Sequence, residues 1–350
     1  MLQNILGAIG CALNGLSSMI LASTFGFAAF PSAIIFIIGG IGMLVFGQVS
    51  PLLMQTELVV LAGSFGRNRQ ERLAICTCAG ILTTILGVTG AIGSVVAFIG
   101  DDILYGIMAG VGIMLTSVSI KMVKDNFELG GISMAAGVVT YLLTSNIIYT
   151  TVTAIAIPGV IWNIVHREDV RSAPPADFSL EHFTLNRCKF HPSMIRGILA
   201  LTTLLLGGII SGAAINASLA GGTADFNAVT LYAGLAAVLS SLFGGALPGV
   251  VVVGTASAPD PMLSGIILMA IMAVAMLTKL TPRLKRILPS ECVAGLLFVL
   301  GAFVIFPDNA AASLQMSPLI GGTTMLIAAM VDPFVGMCAG VLMRYILMLV

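Results

Sequence analysis

Long runs without a charged side chain, broken at short intervals, dominate the sequence. Before Arg67 the only ionisable side chain is Glu57, and further charge-free runs cover 73–100, 103–120, 129–165, 197–224, 226–259, 262–278, 292–307, 309–331 and 333–343. A helix that crosses a bilayer needs about 20 apolar residues, fewer where it is broken or supported by neighbours. Turn signals at Phe30-Pro31, Gly47, Ser50-Pro51, Thr144-Ser145, Gly221-Gly222, Pro248, Pro259-Asp260-Pro261, Pro307-Asp308 and Asp332-Pro333 divide the longer runs. The pattern predicts fourteen segments: 4–27, 32–48, 51–65, 73–99, 102–121, 130–143, 146–165, 194–217, 226–243, 248–258, 262–280, 288–306, 315–331 and 333–349. One polar stretch, 166–193, separates two halves, 1–165 and 194–350, of seven segments each.

The halves resemble each other. Phe46-Gly47-x-x-x-Pro51 recurs as Phe243-Gly244-x-x-x-Pro248, an offset of 197 residues that also puts Gly15 on Gly212 and Asn14 on Ser211. Gly106 resembles Gly295 at a slightly different offset, 189. A motif that keeps its place in two seven-segment halves marks an internal repeat. Charge shows how the repeats are oriented. Fourteen of the fifteen basic residues fall in or next to odd-numbered connections, with Arg344 the exception. The even-numbered connections carry Asp101, Asp102, Asp225, Asp260 and Asp308. Lys and Arg in short loops mark the cytoplasmic side, which predicts a cytoplasmic 166–193 and termini on the opposite face. The basic connection after segment three is the repeat mate of an acidic one after segment ten, as halves of opposite topology require.

Composition agrees. Charged residues make up 9% and hydrophobic residues 58%, with a mean hydropathy of +1.09. A soluble domain is about a quarter charged, so a water-soluble globule is excluded. Fifteen basic and fifteen acidic residues cancel, and no nucleic-acid partner is expected. Forty glycines suit helices that pack closely, or break, in lipid. The expected place is a bacterial inner or plasma membrane, crossed many times. The N-terminus lacks a basic n-region and reads as a first span. Cys11, Cys76, Cys78, Cys292 and Cys338 read as small apolar fillers, and Cys188 lies in the polar linker.

Inverted repeats bring a binding site to the midplane, at broken helices in matching positions. Segments three and ten are the candidates, with Ser50, Gln55, Thr56 and Glu57 in one and Gly254, Thr255 and Ser257 in the other. Unpaired N–H groups at such a break can face a ligand. A carboxylate at membrane depth costs a few kcal/mol or more and marks substrate or proton pathways, so Glu57 is the candidate proton carrier. Its mate at the 197 offset is Gly254. Asn14, Ser17 and Ser18 in segment one, and Ser211 and Asn216 in segment eight, are further candidates for the same cavity; helix packing alone would also account for each. His166, His182 and His191 lie in the linker without a zinc spacing. No nucleophile elbow, P-loop, HExxH or paired-carboxylate arrangement is present. The expectation is a transporter without cofactor or metal, and not an enzyme.

On its local motifs the chain resembles the nucleobase–ascorbate transporter family, the xanthine/uracil permeases. The residues that carry the resemblance are Phe46-Gly47-Gln48-Val49-Ser50-Pro51 with Gln55-Thr56-Glu57, Ile99-Gly100-Asp101-Asp102 with Gly106, Gly110 and Gly112, and Ser241-Leu242-Phe243-Gly244-Gly245 with Pro248. The resemblance implies an all-α 7+7 inverted-repeat fold, with a core domain of segments one to four and eight to eleven and a gate domain of the rest. It implies a nucleobase-like substrate between segments three and ten, symport with a proton rather than sodium, a homodimer as candidate assembly, and cytoplasmic termini. Two features depart from it: segment eight lacks the acid that holds the base, and segment ten has Gly254 and Thr255 where a second polar or acidic residue is expected. An anion permease of the sulfate-permease type is the alternative, since two facing half-helix N-termini hold an anion without any carboxylate.

Overall fold

The computed structural model describes residues 2–165, 178–186, 190–251, 254–281 and 290–349. The linker's His166 and Cys188, and its Arg167, Arg171, Arg187 and Lys189, lie outside the described residues. The helices are α1 (Leu2–Thr24), α2 (Ala29–Phe46), α3 (Thr56–Ser64), α4 (Arg69–Thr89), α5 (Ile92–Ile99), α6 (Asp101–Asp125), α7 (Phe127–Thr144) and α8 (Ile147–Val165), then α9 (Ile195–Leu219), α10 (Phe226–Leu242), α11 (Pro261–Leu277), α12 (Ala294–Val299), α13 (Phe306–Met316), α14 (Pro318–Met330) and α15 (Pro333–Leu349). Two strands, β1 (Leu52–Leu53) and β2 (Gly249–Val250), interrupt them. The chain is a polytopic membrane protein with the 7+7 inverted-repeat transporter fold. Six of the described helical stretches are long and apolar enough to cross a membrane.

Two compact units form, each drawing on both halves: 1–92 with 172–287, and 93–171 with 288–350. In the first, α4 and α10 meet through a seam of small residues. A Cβ on Gly80 would lie 2.8 Å from the Val238 nitrogen, one on Gly87 2.6 Å from the Leu231 nitrogen, and one on Gly234 2.6 Å from the Thr84 nitrogen. Backbones approach this closely where small residues replace bulk, which is how helices associate without a hydrophobic driving force. In the second unit α6 plays that part, with Gly106 against Thr324 and Gly110 against Ala328. There Arg344 accounts for its exceptional place. Its guanidinium donates to the carbonyls of Phe98 (3.0 Å) and Ile99 (2.7 Å) at the end of α5 and pairs with Asp102 at 2.5 Å.

Three expected boundaries are corrected. Segment 73–99 is two helices, because Gly90 adopts a left-handed conformation (φ 69°) and closes α4 with a hydrogen bond to Gly87. Pro307-Asp308 does not end a segment. The helix widens into a π-turn over Leu300–Ile305, and Pro307 follows directly behind that irregularity, in the first turn of α13. The next break therefore moves to Ser317, and α14 starts at Pro318 instead of 315. Of the cysteines, Cys11, Cys76 and Cys292 are buried as expected, whereas Cys78 is half-buried and Cys338 exposed.

The linker contributes an unexpected tie to the first unit. Glu181, only 5% exposed, accepts hydrogen bonds from the N–H groups of Ala29 (3.1 Å) and Phe30 (2.6 Å) and so caps α2 from about 150 residues away. Phe183 packs between Phe30 and Phe243, and Asn186 donates its N–H to the Leu242 carbonyl at 2.7 Å. Removing the carboxylate leaves two orphaned helix donors, at about 1–3 kcal/mol. Glu181→Ala is expected to lower the melting midpoint of the detergent-solubilised protein, with Glu181→Gln, which keeps one acceptor, intermediate. Equal midpoints for all three proteins would show that the cap contributes nothing.

Candidate functional site

The matched lead-ins cross in the first unit. Gly47 and Gly244, repeat mates, both take positive φ (64° and 95°) and turn the chain out of α2 and α10. The strands that follow pair antiparallel, Leu52 with Val250 and Leu53 with Gly249. At an offset of 197 the mate of Leu52 is Gly249 and the mate of Leu53 is Val250. The register thus places each residue across from its neighbour's mate, as a two-fold axis between the strands demands. Flanking contacts obey the same symmetry. A Cβ on Gly15 of α1 would meet Leu53, and one on Gly212 of α9 would meet Val250. Extended backbone is tolerated at membrane depth only when buried in protein or lining a cavity. Leu52, Leu53 and Val250 are all within 1% of complete burial.

Beyond β1 the chain enters α3, whose N-cap, Gln55, makes no side-chain cap. The first N–H groups of such a helix have no intrahelical partner, and they carry the positive end of the dipole. Thr56 and Glu57 occupy that first turn, 3% and 8% exposed, and the Thr56 hydroxyl lies 3.0 Å from that of Ser18 on α1. Beyond β2 the counterpart is shorter. Gly254–Ser257 forms a 3-10 turn before α11, so the two repeats do not supply matching half-helices. Pro259-Asp260-Pro261 accounts for the difference: a proline at the first helical position lets Asp260 cap and start α11 afresh.

Gln55 bridges α3 and β2 through one end of its amide. Its Nε2 donates to the Val250 carbonyl (2.8 Å), and a Cβ on Gly208 would come 2.7 Å from its Oε1. The side chain bolts α3 to β2 through a gap that only glycine leaves. Asn216 does a similar job from α9, donating to the Val251 carbonyl at 3.0 Å. Tyr232, missed in the sequence, fixes the lead-in by donating its hydroxyl to the Ser50 carbonyl at 2.6 Å. A lone buried tyrosine in an apolar helix gives no sign of where its hydroxyl goes. Thr255 is fully buried, and its hydroxyl has no partner among the described residues; the Ser50 hydroxyl and the Gln55 Oε1 are likewise buried without one. By backbone, Asn14 lies in α1, Ser211 in α9, and Gly254 and Ser257 in the 3-10 turn; the side chains of Asn14, Ser211 and Ser257 lie outside the described residues.

The likeness to solved structures extends over nearly the whole chain. Its fold is that of solved anion transporters. The transmembrane domain of a cyanobacterium bicarbonate transporter, BicA, superposes with a TM-score of 0.72 at 15% identity, over 97% of this chain and 96% of that one. The murine Solute Carrier 26 family member A9 anion transporter, in its inward-facing state, gives 0.72 at 13% identity, over 100% of this chain and 68% of that one. A second structure of that member gives 0.69 at 14%, over 99% and 65%. No family model and no curated protein matches the sequence. The resemblance to nucleobase–ascorbate transporters is thereby corrected. The neighbours share the 7+7 fold but are anion transporters. The motifs behind the resemblance are glycines and prolines that shape backbone, and backbone shape belongs to the fold, not to a substrate.

Proposed function

We propose that the protein is a secondary transporter of a small anion, an anion permease of the sulfate-permease type. The observation that carries this reading is the uncapped start of α3 beside a crossing with hardly any ionisable groups. Across α1, α3, α9, both strands and the 3-10 turn, Glu57 is the only acidic or basic residue apart from Arg196 at the start of α9. Free N–H groups at a helix N-terminus suit an anion, and the unpartnered Thr255 hydroxyl is a neutral donor for the same kind of ligand. The printed substrates of the structural neighbours, bicarbonate and anions, point the same way.

Glu57 then has a second part to play. As a carboxylate it would compete with the anion for the first turn of α3; as a neutral acid it would not. An anion that enters together with a proton on Glu57 carries no net negative charge into the site, which is the economical way to couple the two. We assign Glu57 to coupling, and Thr56, Thr255, Ser257, Gly254, Asn14 and Ser211 to the surroundings of the anion.

Purified protein in liposomes, offered bicarbonate, chloride, nitrate and sulfate in turn, tests the reading. Saturable uptake of at least one anion above protein-free liposomes is expected, with glycerol, a neutral solute, left behind. Uptake of none of the four anions would sink it.

A further inference from the structure

A site for a different ligand lies on the flank of the first unit, along the seam of α4 and α9. Two cavities follow one another there. The first, about 270 Å³, is polar and sits where both helices begin, with Ser64, Arg67, Glu71 and Ser193 in its wall. The second, about 280 Å³, is apolar and lies further along both helices between Cys78, Ile81, Leu82, Ile198 and Leu199, with Phe190 over it. Ile75 packs on Gly197 at the boundary; a Cβ on Gly197 would be 3.3 Å from it. From Glu71 to Leu82 is roughly 16 Å along α4 at 1.5 Å per residue. A polar chamber at the helix ends and an apolar groove one headgroup deeper match the two ends of a phospholipid.

Charge selects the headgroup. Arg67 is exposed, and among the described residues its guanidinium enters no ion pair. The one acid in the wall, Glu71, accepts the backbone N–H of Arg67 at 2.8 Å and so offsets one of the two nearby arginines, Arg67 and Arg196, leaving the surroundings net basic. Arg196 is exposed on the next turn from Ser193. The groove is open to the lipid side through Ile81 and Ile195, 44% and 46% exposed. A water-soluble anion would leave the apolar groove empty, and a zwitterionic lipid would bring a second cation beside the phosphate that Arg67 pairs with, against the basic Arg67 and Arg196.

We propose that the seam holds one anionic phospholipid, its phosphate at Arg67 and Ser193 and an acyl chain in the groove beneath Phe190. The protein has a single tryptophan, Trp162, so a Phe190→Trp substitution in a Trp162→Phe background places the only indole at the groove. Quenching of that indole by lipids with brominated acyl chains then reports occupancy. Brominated phosphatidylglycerol is expected to associate about fivefold more strongly than brominated phosphatidylcholine, the change that about 1 kcal/mol from one basic side chain near an anionic headgroup provides. Arg67→Gln should bring the ratio to about one, and Arg67→Lys should retain most of it. In the unsubstituted-Arg67 protein, molar salt should erase the preference by screening. Equal association of the two lipids, or a preference that survives both Arg67→Gln and molar salt, overturns the proposal. The outcome is independent of which solute the protein carries.

Discussion

Gly212→Ala abolishes the folded transporter, while Gly15→Ala, at its repeat mate, leaves it folded. The two glycines occupy equivalent places against the crossing, yet their neighbours differ. A Cβ on Gly212 would lie 2.5 Å from the Val250 carbonyl oxygen and 3.0 Å from its carbon, and backbone in a two-residue ladder has nowhere to go. A Cβ on Gly15 meets only the side-chain ends of Met272 (2.8 Å) and Leu53 (2.9 Å), which can turn aside. Overpacking costs about 1–3 kcal/mol, more where rigid parts collide. We expect a loss above about 3 kcal/mol for Gly212→Ala and below about 1 kcal/mol for Gly15→Ala. The monodisperse fraction after solubilisation, and the melting midpoint, measure both. Similar behaviour of the two variants would refute the asymmetry.

Glu57→Gln removes accumulation driven by a pH gradient but preserves exchange. One pH unit is worth 1.36 kcal/mol, so one proton per anion supports about tenfold accumulation per unit, which should fall to about one in the variant. The amide keeps the size and hydrogen-bonding reach of the acid, so bound anion should still exchange for anion across a liposome membrane. Loss of exchange along with accumulation would make Glu57 a binding residue instead. Wild-type accumulation would make it structural, and no acid would remain in either short segment to carry a proton.

Much of the crossing was legible in the sequence, because glycine and proline act locally. The recurrence of Phe46-Gly47 and Pro51 at Phe243-Gly244 and Pro248 marks two left-handed turns followed by extended chain, and both formed. Charge-free runs marked the helices for an equally local reason. What escaped depends on distance along the chain. Glu181 caps a helix whose start lies 152 residues away, and no pattern within the linker announces that. Gln55 reads as a ligand in the sequence; what the sequence does not announce is that its Nε2 donates to the Val250 carbonyl, 195 residues away, while its Oε1 stays buried without a partner among the described residues. The continuous helix through Pro307 needed a π-turn, which no residue type signals. The family resemblance misleads because motifs that bend the backbone say nothing of what the backbone holds.

The pairing of Leu52 with Val250 and of Leu53 with Gly249 has an ancestral consequence. Were the two halves identical, each strand would be pairing with a copy of itself. Two separate seven-segment polypeptides inserted in opposite orientations would make this same ladder as an antiparallel homodimer. Joining them through 166–193 would tie together an already closed dimer. One constraint outlives the fusion: a one-residue insertion or deletion in either lead-in shifts one strand against the other and flips its side chains, unless the other lead-in changes with it.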